Sequence, residues 1–300
     1  MKKKKAKAAH RGLRNSVERT MHILFLICGI IAIGFVLLIS IYLIISGLPA
    51  IQEVGLKEFL FGTKWASTHA TDPKFGILPF ILTSIYGTAG AVLIGVPIGF
   101  LTAVFLAKVA PPKVATVMRT AVDLLAGIPS VVYGLVGMIV LVPAIRKAFD
   151  LPAGDSLLAA IIVLAAMILP SVISMSETAL KAVPKEYEEG SLALGATELE
   201  TYFRVSAPAA KSGIAAAVVL GVGRAIGEAM AILMVAGNAA NMPSLLTSVK
   251  FLTTAIASEM SYASVGSLQR NALFSIGLVL FLFIMLINVL LNLLLKRDKE

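Results

Sequence analysis

The sequence predicts an all-α membrane protein with six transmembrane helices, and three observations carry that prediction. Mean hydropathy is +0.92, with 58% hydrophobic and only 14% charged residues in 300, far from the roughly 25% charge of soluble domains. Six apolar stretches are long enough for a hydrocarbon core about 30 Å thick, which takes about 20 helical residues to cross. Lysine and arginine also alternate in density between successive connections, as in a chain that crosses a bilayer repeatedly.

The first stretch, Ile23 to Leu48, follows a basic tail, 1–22, in which eight of the 26 basic residues fall within nineteen positions. It is longer than a signal-peptide core of about 7 to 15 residues and lacks a small-residue cleavage site, so it reads as an uncleaved helix. Cys28, the only cysteine, lies inside it and excludes an intrachain disulfide. A loop, 49–74, with Trp65, His69 and Pro73 reads as an irregular external segment. The core, 75–295, begins with Ile77 to Leu106, where Pro79 and Pro97 are expected to kink the helix or set its ends apart. Ala121 to Ile145 is the third span. Its Gly127 and Pro129 make an ordinary kink or free backbone groups toward a watery cavity, since an interrupted ladder is tolerable only against protein or water. Ser156 to Met175, Ser212 to Ala236 and Ala272 to Leu295 complete the set, before a short tail, 296–300. Between the last two spans, apolar residues at Leu245, Val249, Leu252, Ile256 and Met260 recur near helical period. That stretch is too interrupted to span and is expected to form either an interfacial or re-entrant helix at an outer vestibule or a plain surface helix.

With the amino terminus inside, the inner segments hold eighteen basic residues and the outer loops seven, which places both termini and the polar loop 176–211 in the cytoplasm. The net charge of +9 is concentrated in the basic tail without aromatic interleaving, which excludes a nucleic-acid partner and leaves the lipid bilayer as the surroundings. His10, His22 and His69 are scattered, so no metal site is expected. No nucleophile, base and orienting group emerge as a set, so the chain is not read as an enzyme. Nor is there a glycine-rich turn before a Lys-Ser or Lys-Thr, as a phosphate-cradling loop requires; no cofactor is bound by this chain.

Two features stand out. The loop from Glu189 to Pro208 is long and structured for a helix connection. Ala193, Leu194, Gly195 and Ala196 offer a compact surface for close approach, and Glu188, Glu189, Glu198 and Arg204 can set register by charge. The second feature is Arg224 and Glu228 within the fifth span, where a charge costs about 2.5 to 3.5 kcal/mol even on lenient scales. At i and i+4 they are expected to share one helix face, as an ion pair that fixes packing or as a site facing a cavity. A guanidinium fork suits a tetrahedral oxyanion. Glu228 would hold Arg224 or accept a hydrogen bond from a protonated oxyanion; in a secondary transporter it would carry a coupling proton instead.

Glu189-Gly190-Ser191, Gly195 and Val205-Ser206-Ala207-Pro208 are similar in spacing to the EAA loop of bacterial ABC-importer permeases, with Gly190 and Ser191 in place of two alanines and Ala207 in place of a leucine. Phe75 to Ile81, Gly127 to Gly134 and Gly223 to Glu228 resemble the phosphate-specific permeases, and the run at Phe75 is more PstC-like than PstA-like. The resemblance implies a type I ABC importer permease fold in the bacterial inner membrane, with Glu189, Ala193, Leu194, Gly195, Ala196 and Pro208 in a coupling helix seated on an ATPase. It places Arg224 and Glu228 on the path of inorganic phosphate. It further implies a second permease subunit (PstA-like), an ATPase dimer (PstB-like) using ATP and Mg, and an external phosphate-binding protein (PstS-like). A related oxyanion such as phosphonate, sulfate or molybdate is the alternative cargo.

Overall fold

The structure, a computed structural model, describes residues 2–69 and 71–297; positions 298–300 of the terminal tail lie outside the described residues. Among the described residues, five unbroken helices are long and apolar enough to cross a membrane. A sixth crossing is reached where Lys211–Gly227 is taken together with Glu198–Ala209, from which it is bent by 73°. The spans are α1 (Lys2–Val54), α3 (Leu78–Val104), α5 with α6 (Ser130–Val136, Val142–Ala148), α7 (Leu157–Lys181), α11 (Lys211–Gly227) and α14 (Leu268–Arg297). The shorter α2 (Leu56–Phe61), β1 (Trp65–Ala66), β2 (Lys74–Phe75), α4 (Pro112–Gly127), α8 (Lys185–Ala193), α9 (Glu198–Thr201), α10 (Ala207–Ala209), α12 (Met230–Val235) and α13 (Leu252–Glu259) connect them.

The centre of the bundle is α3 against α7. Gly90, Gly95 and Gly99 recur along α3, and the α7 side chains occupy the space that side chains there would take. A Cβ at those positions would lie 2.7, 2.8 and 2.8 Å from Ile161, Ile168 and Val172. Small residues at helix interfaces let backbones approach where lipid offers no hydrophobic drive. Ile161, Leu164, Met167, Ile168 and Val172 are buried along this seam. By contrast α1 leans chiefly on α14, touching it where Ser275 donates a 2.5 Å hydrogen bond to the Gly47 carbonyl and Tyr42 meets Phe274 edge-on, and only its last turns, with Ala50 buried, join the packing around Phe59 and Ile77. From Ile23 to Ile45 the helix is apolar and almost wholly exposed, as a surface in contact with lipid requires.

Four expectations change. The first helix runs past Leu48 to Val54, and the loop after it is ordered: α2 is followed by an antiparallel hairpin pairing Trp65 with Phe75 and Ala66 with Lys74. Trp65 packs against Phe75 and Phe80 over the buried Phe59 and Ile77. Pro97 sits inside α3 without ending it; the helix instead widens to a π-helical turn at Phe105–Val109. The third span does not run from Ala121 to Ile145. Helix α4 stops at Gly127, Ile128 is extended, and a new helix starts after Pro129, because proline lacks the N–H that would continue the ladder and biases its predecessor away from helix. Finally, only Leu252–Glu259 of the Leu245–Met260 stretch is helical. Leu245 and Thr247 lie in a turn and the bend after it, and their carbonyls accept from Leu158 and Leu157 N–H, satisfying donors that the first turn of α7 leaves open.

Candidate functional site

At one end of the bundle α8 projects from the chain. Pro184 ends the preceding segment, and Glu186 and Glu188 stand in the first turn of α8, where negative charge favours the helix dipole. The helix closes on Leu194 and then Gly195, whose φ of +88° is the left-handed geometry that glycine adopts without a Cβ penalty. The Gly195 and Ala196 N–H groups bond back to Leu192 and Ser191. A capping box follows, in which Thr197 and Glu200 exchange side-chain and backbone bonds. Glu189, Ala193, Leu194 and Gly195 are all exposed, Leu194 to 91%, and Ala196 is half-buried. Pro208 is exposed on α10. Tyr187, Leu192 and Leu199 add further exposed apolar surface to this loop.

Glu188 departs from the expected role of setting register through charge. It turns inward, forming an ion pair with Lys108 and accepting a 2.8 Å bond from Ser206. The Tyr202 hydroxyl donates to the Lys108 carbonyl at 3.3 Å, and Ser191 and Thr201 join through their hydroxyls at 2.9 Å. Leu180, Val183 and Ala210 pack with Ala103 and Val104 at the end of α3. The loop is therefore fastened to two spans by polar and apolar contacts together. Beside it the buried Glu177 binds Arg119 at 2.5 Å and Lys181 at 2.6 Å, while Arg119 also donates to the Leu106 carbonyl in the π-helical turn. Asp123 shares a small cavity of about 200 Å³ with these residues.

The largest correction concerns Arg224 and Glu228. They do not share a helix face. Helix α11 ends at Gly227, Glu228 is extended (φ −73°, ψ 128°), and α12 begins at Met230. The carboxylate of Glu228 turns forward to accept the Ala231 N–H at 2.9 Å, and its carbonyl accepts the Thr253 hydroxyl at 2.7 Å. Arg224 reaches Ser171 on α7 at 3.4 Å instead. It lines a cavity of about 740 Å³ with Ser171, Met175, Gly223 and Asn288. The break uncouples the two charges: Arg224 is held by α7, Glu228 by α12 and α13. A hydropathy window cannot register it, since Gly227 and Ala229 are as apolar as helix residues. Ser171, Lys108 and Thr253 were also missed. The readable signals were the polar Ser171 directly after Pro170 in an apolar run, and a lone lysine at the end of the second span.

The opposite end of the bundle holds a second polar centre. Glu259 at the end of α13 pairs with Lys250 at 2.7 Å and accepts from the Trp65 indole at 3.0 Å and the Ser67 hydroxyl at 3.0 Å. Gln269 of α14 reaches Ser67 at 3.2 Å. Burial pushes the Glu259 carboxyl up, but Lys250, Ser67 and Trp65 outweigh it and hold it below the ordinary glutamate value.

Residues 95–297 match the family described as binding-protein-dependent transport system inner membrane component. The chain belongs to this family. YqgH of Bacillus subtilis, a probable ABC transporter permease protein, is 43% identical over 270 residues, 88% of this chain and 87% of that protein. The phosphate transport system permease protein PstC of Haemophilus influenzae is 34% identical over 290 residues, 89% of this chain and 90% of that one. A probable PstC of Methanocaldococcus jannaschii is 31% identical over 291 residues, 90% and 91%. Among solved structures, the permease resembles the inward-facing MetNI methionine ABC transporter (TM-score 0.56, 20% identity, 74% of this chain and 97% of that one). It also resembles a bacterial alginate ABC transporter in complex with its alginate-bound periplasmic protein (0.58, 17%, 85% and 87%). At these identities the likeness is one of fold: a type I ABC importer permease, multi-pass in the membrane.

Proposed function

We propose that the chain is the transmembrane permease subunit of an ATP-driven phosphate importer. The observation that carries this reading is the match to PstC proteins along nearly the whole chain, and the chemistry at Arg224 supports it. Arg224 sits at the wall of a cavity large enough for a hydrated oxyanion, with its fork free to turn from the long 3.4 Å contact with Ser171 toward a bidentate bond with two phosphate oxygens. Ser171 then donates or accepts beside it. Glu228 commits Oε1 to Ala231, which leaves Oε2 to accept a hydrogen bond from the proton that phosphate keeps near neutral pH and sulfate lacks.

In this reading both termini and α8 are cytoplasmic. Leu194 and its neighbours Glu189, Ala193, Gly195 and Ala196 enter a cleft on a PstB-like ATPase dimer, which alone uses ATP and Mg. A PstA-like permease completes the pathway, and a PstS-like binding protein delivers phosphate to the hairpin end. The test is phosphate uptake by the purified complex in proteoliposomes. Arg224→Lys keeps the charge without the fork and should lower uptake at least about tenfold. Glu228→Gln should lower the preference for phosphate over sulfate. Uptake that ignores ATP, or an unchanged preference in Glu228→Gln, defeats the reading.

A further inference from the structure

We propose that Thr253 is a positioning residue that holds the break at Glu228 and ties it to the hairpin end of the molecule. With ψ at 128° the Glu228 carbonyl has left the helical ladder, and a carbonyl without a partner in such surroundings costs about 1 to 3 kcal/mol. The Thr253 hydroxyl meets it at 2.7 Å, and Thr253 is only 8% exposed. Threonines deeper in helices of this chain turn their hydroxyls back onto their own helix: Thr102, Thr116, Thr120 and Thr178 each bond the carbonyl four residues earlier. Thr253 is the second residue of α13 and has no such carbonyl in its own helix, so its hydroxyl is available to another element, 25 residues away in the chain.

Helix α13 is in turn held at both ends. The Leu252 N–H donates to Ser84 of α3 at 3.1 Å. The far end carries Glu259, bonded to Lys250, Trp65 and Ser67. The hairpin, α13 and the break thus form one chain of contacts, and the direction of Glu228 follows the position of α13. This rests on the phosphate reading only for what Glu228 does once it is placed.

The test uses the full chain in its complex, with amide exchange over 227–235 read alongside phosphate uptake. Thr253→Val removes the hydroxyl at nearly constant shape and is expected to speed exchange at Glu228 to Ala231 about tenfold and to lower the maximal uptake rate more than the half-saturating concentration. Thr253→Ser restores the bond and should return both to near wild type. Glu259→Gln, which loosens α13 from the hairpin, should speed exchange at the same amides to a smaller extent, whereas Gly195→Ala at the other end of the bundle should not. Wild-type exchange in Thr253→Val, or equal defects in the valine and serine variants, overturns the proposal. If exchange responds as described but the wild-type complex takes up no phosphate, the positioning role stands and the phosphate reading falls.

Discussion

Glu188→Gln is the most direct probe of how α8 is held. The carboxylate is 18% exposed and its partner Lys108 11%, so the pair is largely shielded from water. Breaking a fully buried pair by removing one partner costs about 3 to 5 kcal/mol, mostly because the remaining charge is left without a counterion. Residual exposure of both groups reduces this, and glutamine still offers a carbonyl oxygen to Ser206 and Lys108, so a loss of about 2 kcal/mol is expected. That is about a thirtyfold shift in a local opening equilibrium. Amide exchange over 185–193 in the purified protein should accelerate by that factor, with the spans unchanged. Lys108→Met should do the same alone, and the double variant should recover at least about 1 kcal/mol of the sum. Glu189→Gln, one residue along but exposed, should stay within about 0.5 kcal/mol of wild type. If Glu188→Gln behaves like Glu189→Gln, or the two substitutions at Glu188 and Lys108 simply add, the inward fastening of α8 is refuted.

Other substitutions test other parts of the fold. Gly195→Ala places a Cβ at φ +88°, should cost about 1 to 2 kcal/mol, and should show as faster exchange at the end of α8 without global unfolding. Gly95→Ala drives a Cβ to 2.8 Å from Ile168 and 3.1 Å from the Ala165 carbonyl. Overpacking costs about 1 to 3 kcal/mol against about 1 kcal/mol of helix propensity gained, so Tm should fall by a few degrees and Ile168→Val should restore part of it. Glu259 has a folded pKa below its unfolded value, so its contribution to stability is complete above the ordinary glutamate pKa of about 4.3 and disappears as pH falls through the folded value. The Tm difference between wild type and Glu259→Gln should be flat from neutral pH to about 5 and close below about 4; a difference that grows on acidification contradicts the arrangement around Trp65 and Lys250.

Helices α3, α7 and α14 were legible because each is a long apolar run, the one property that hydropathy measures. The spacing from Glu189 to Pro208 led to an exposed helix followed by a left-handed glycine. What stayed hidden depended on dihedral angles and on partners distant in sequence. Ala121 to Ile145 and Ser212 to Ala236 each look like one span, yet each is broken where one or two residues, Ile128 with Pro129 or Glu228, turn extended between helices. Pro129 gave warning of the first break. Nothing in the composition around Gly227 warned of the second, since its cause lies in Thr253 and Ala231. Glu188 and Glu189 are adjacent and chemically identical, and only the lysine 80 residues earlier in the chain decides which of them faces inward.

The glycine seam between α3 and α7 limits how this permease can move. Each branched side chain of α7 fills a notch beside Gly90, Gly95 or Gly99, so sliding one helix past the other by a single 1.5 Å step would press methyl groups into backbone. Shear along that interface carries a steric cost at all three glycines. The two helices are therefore expected to move together as one piece, with any change of shape taken up at breaks elsewhere in the chain, such as Ile128–Pro129 and Glu228–Ala229.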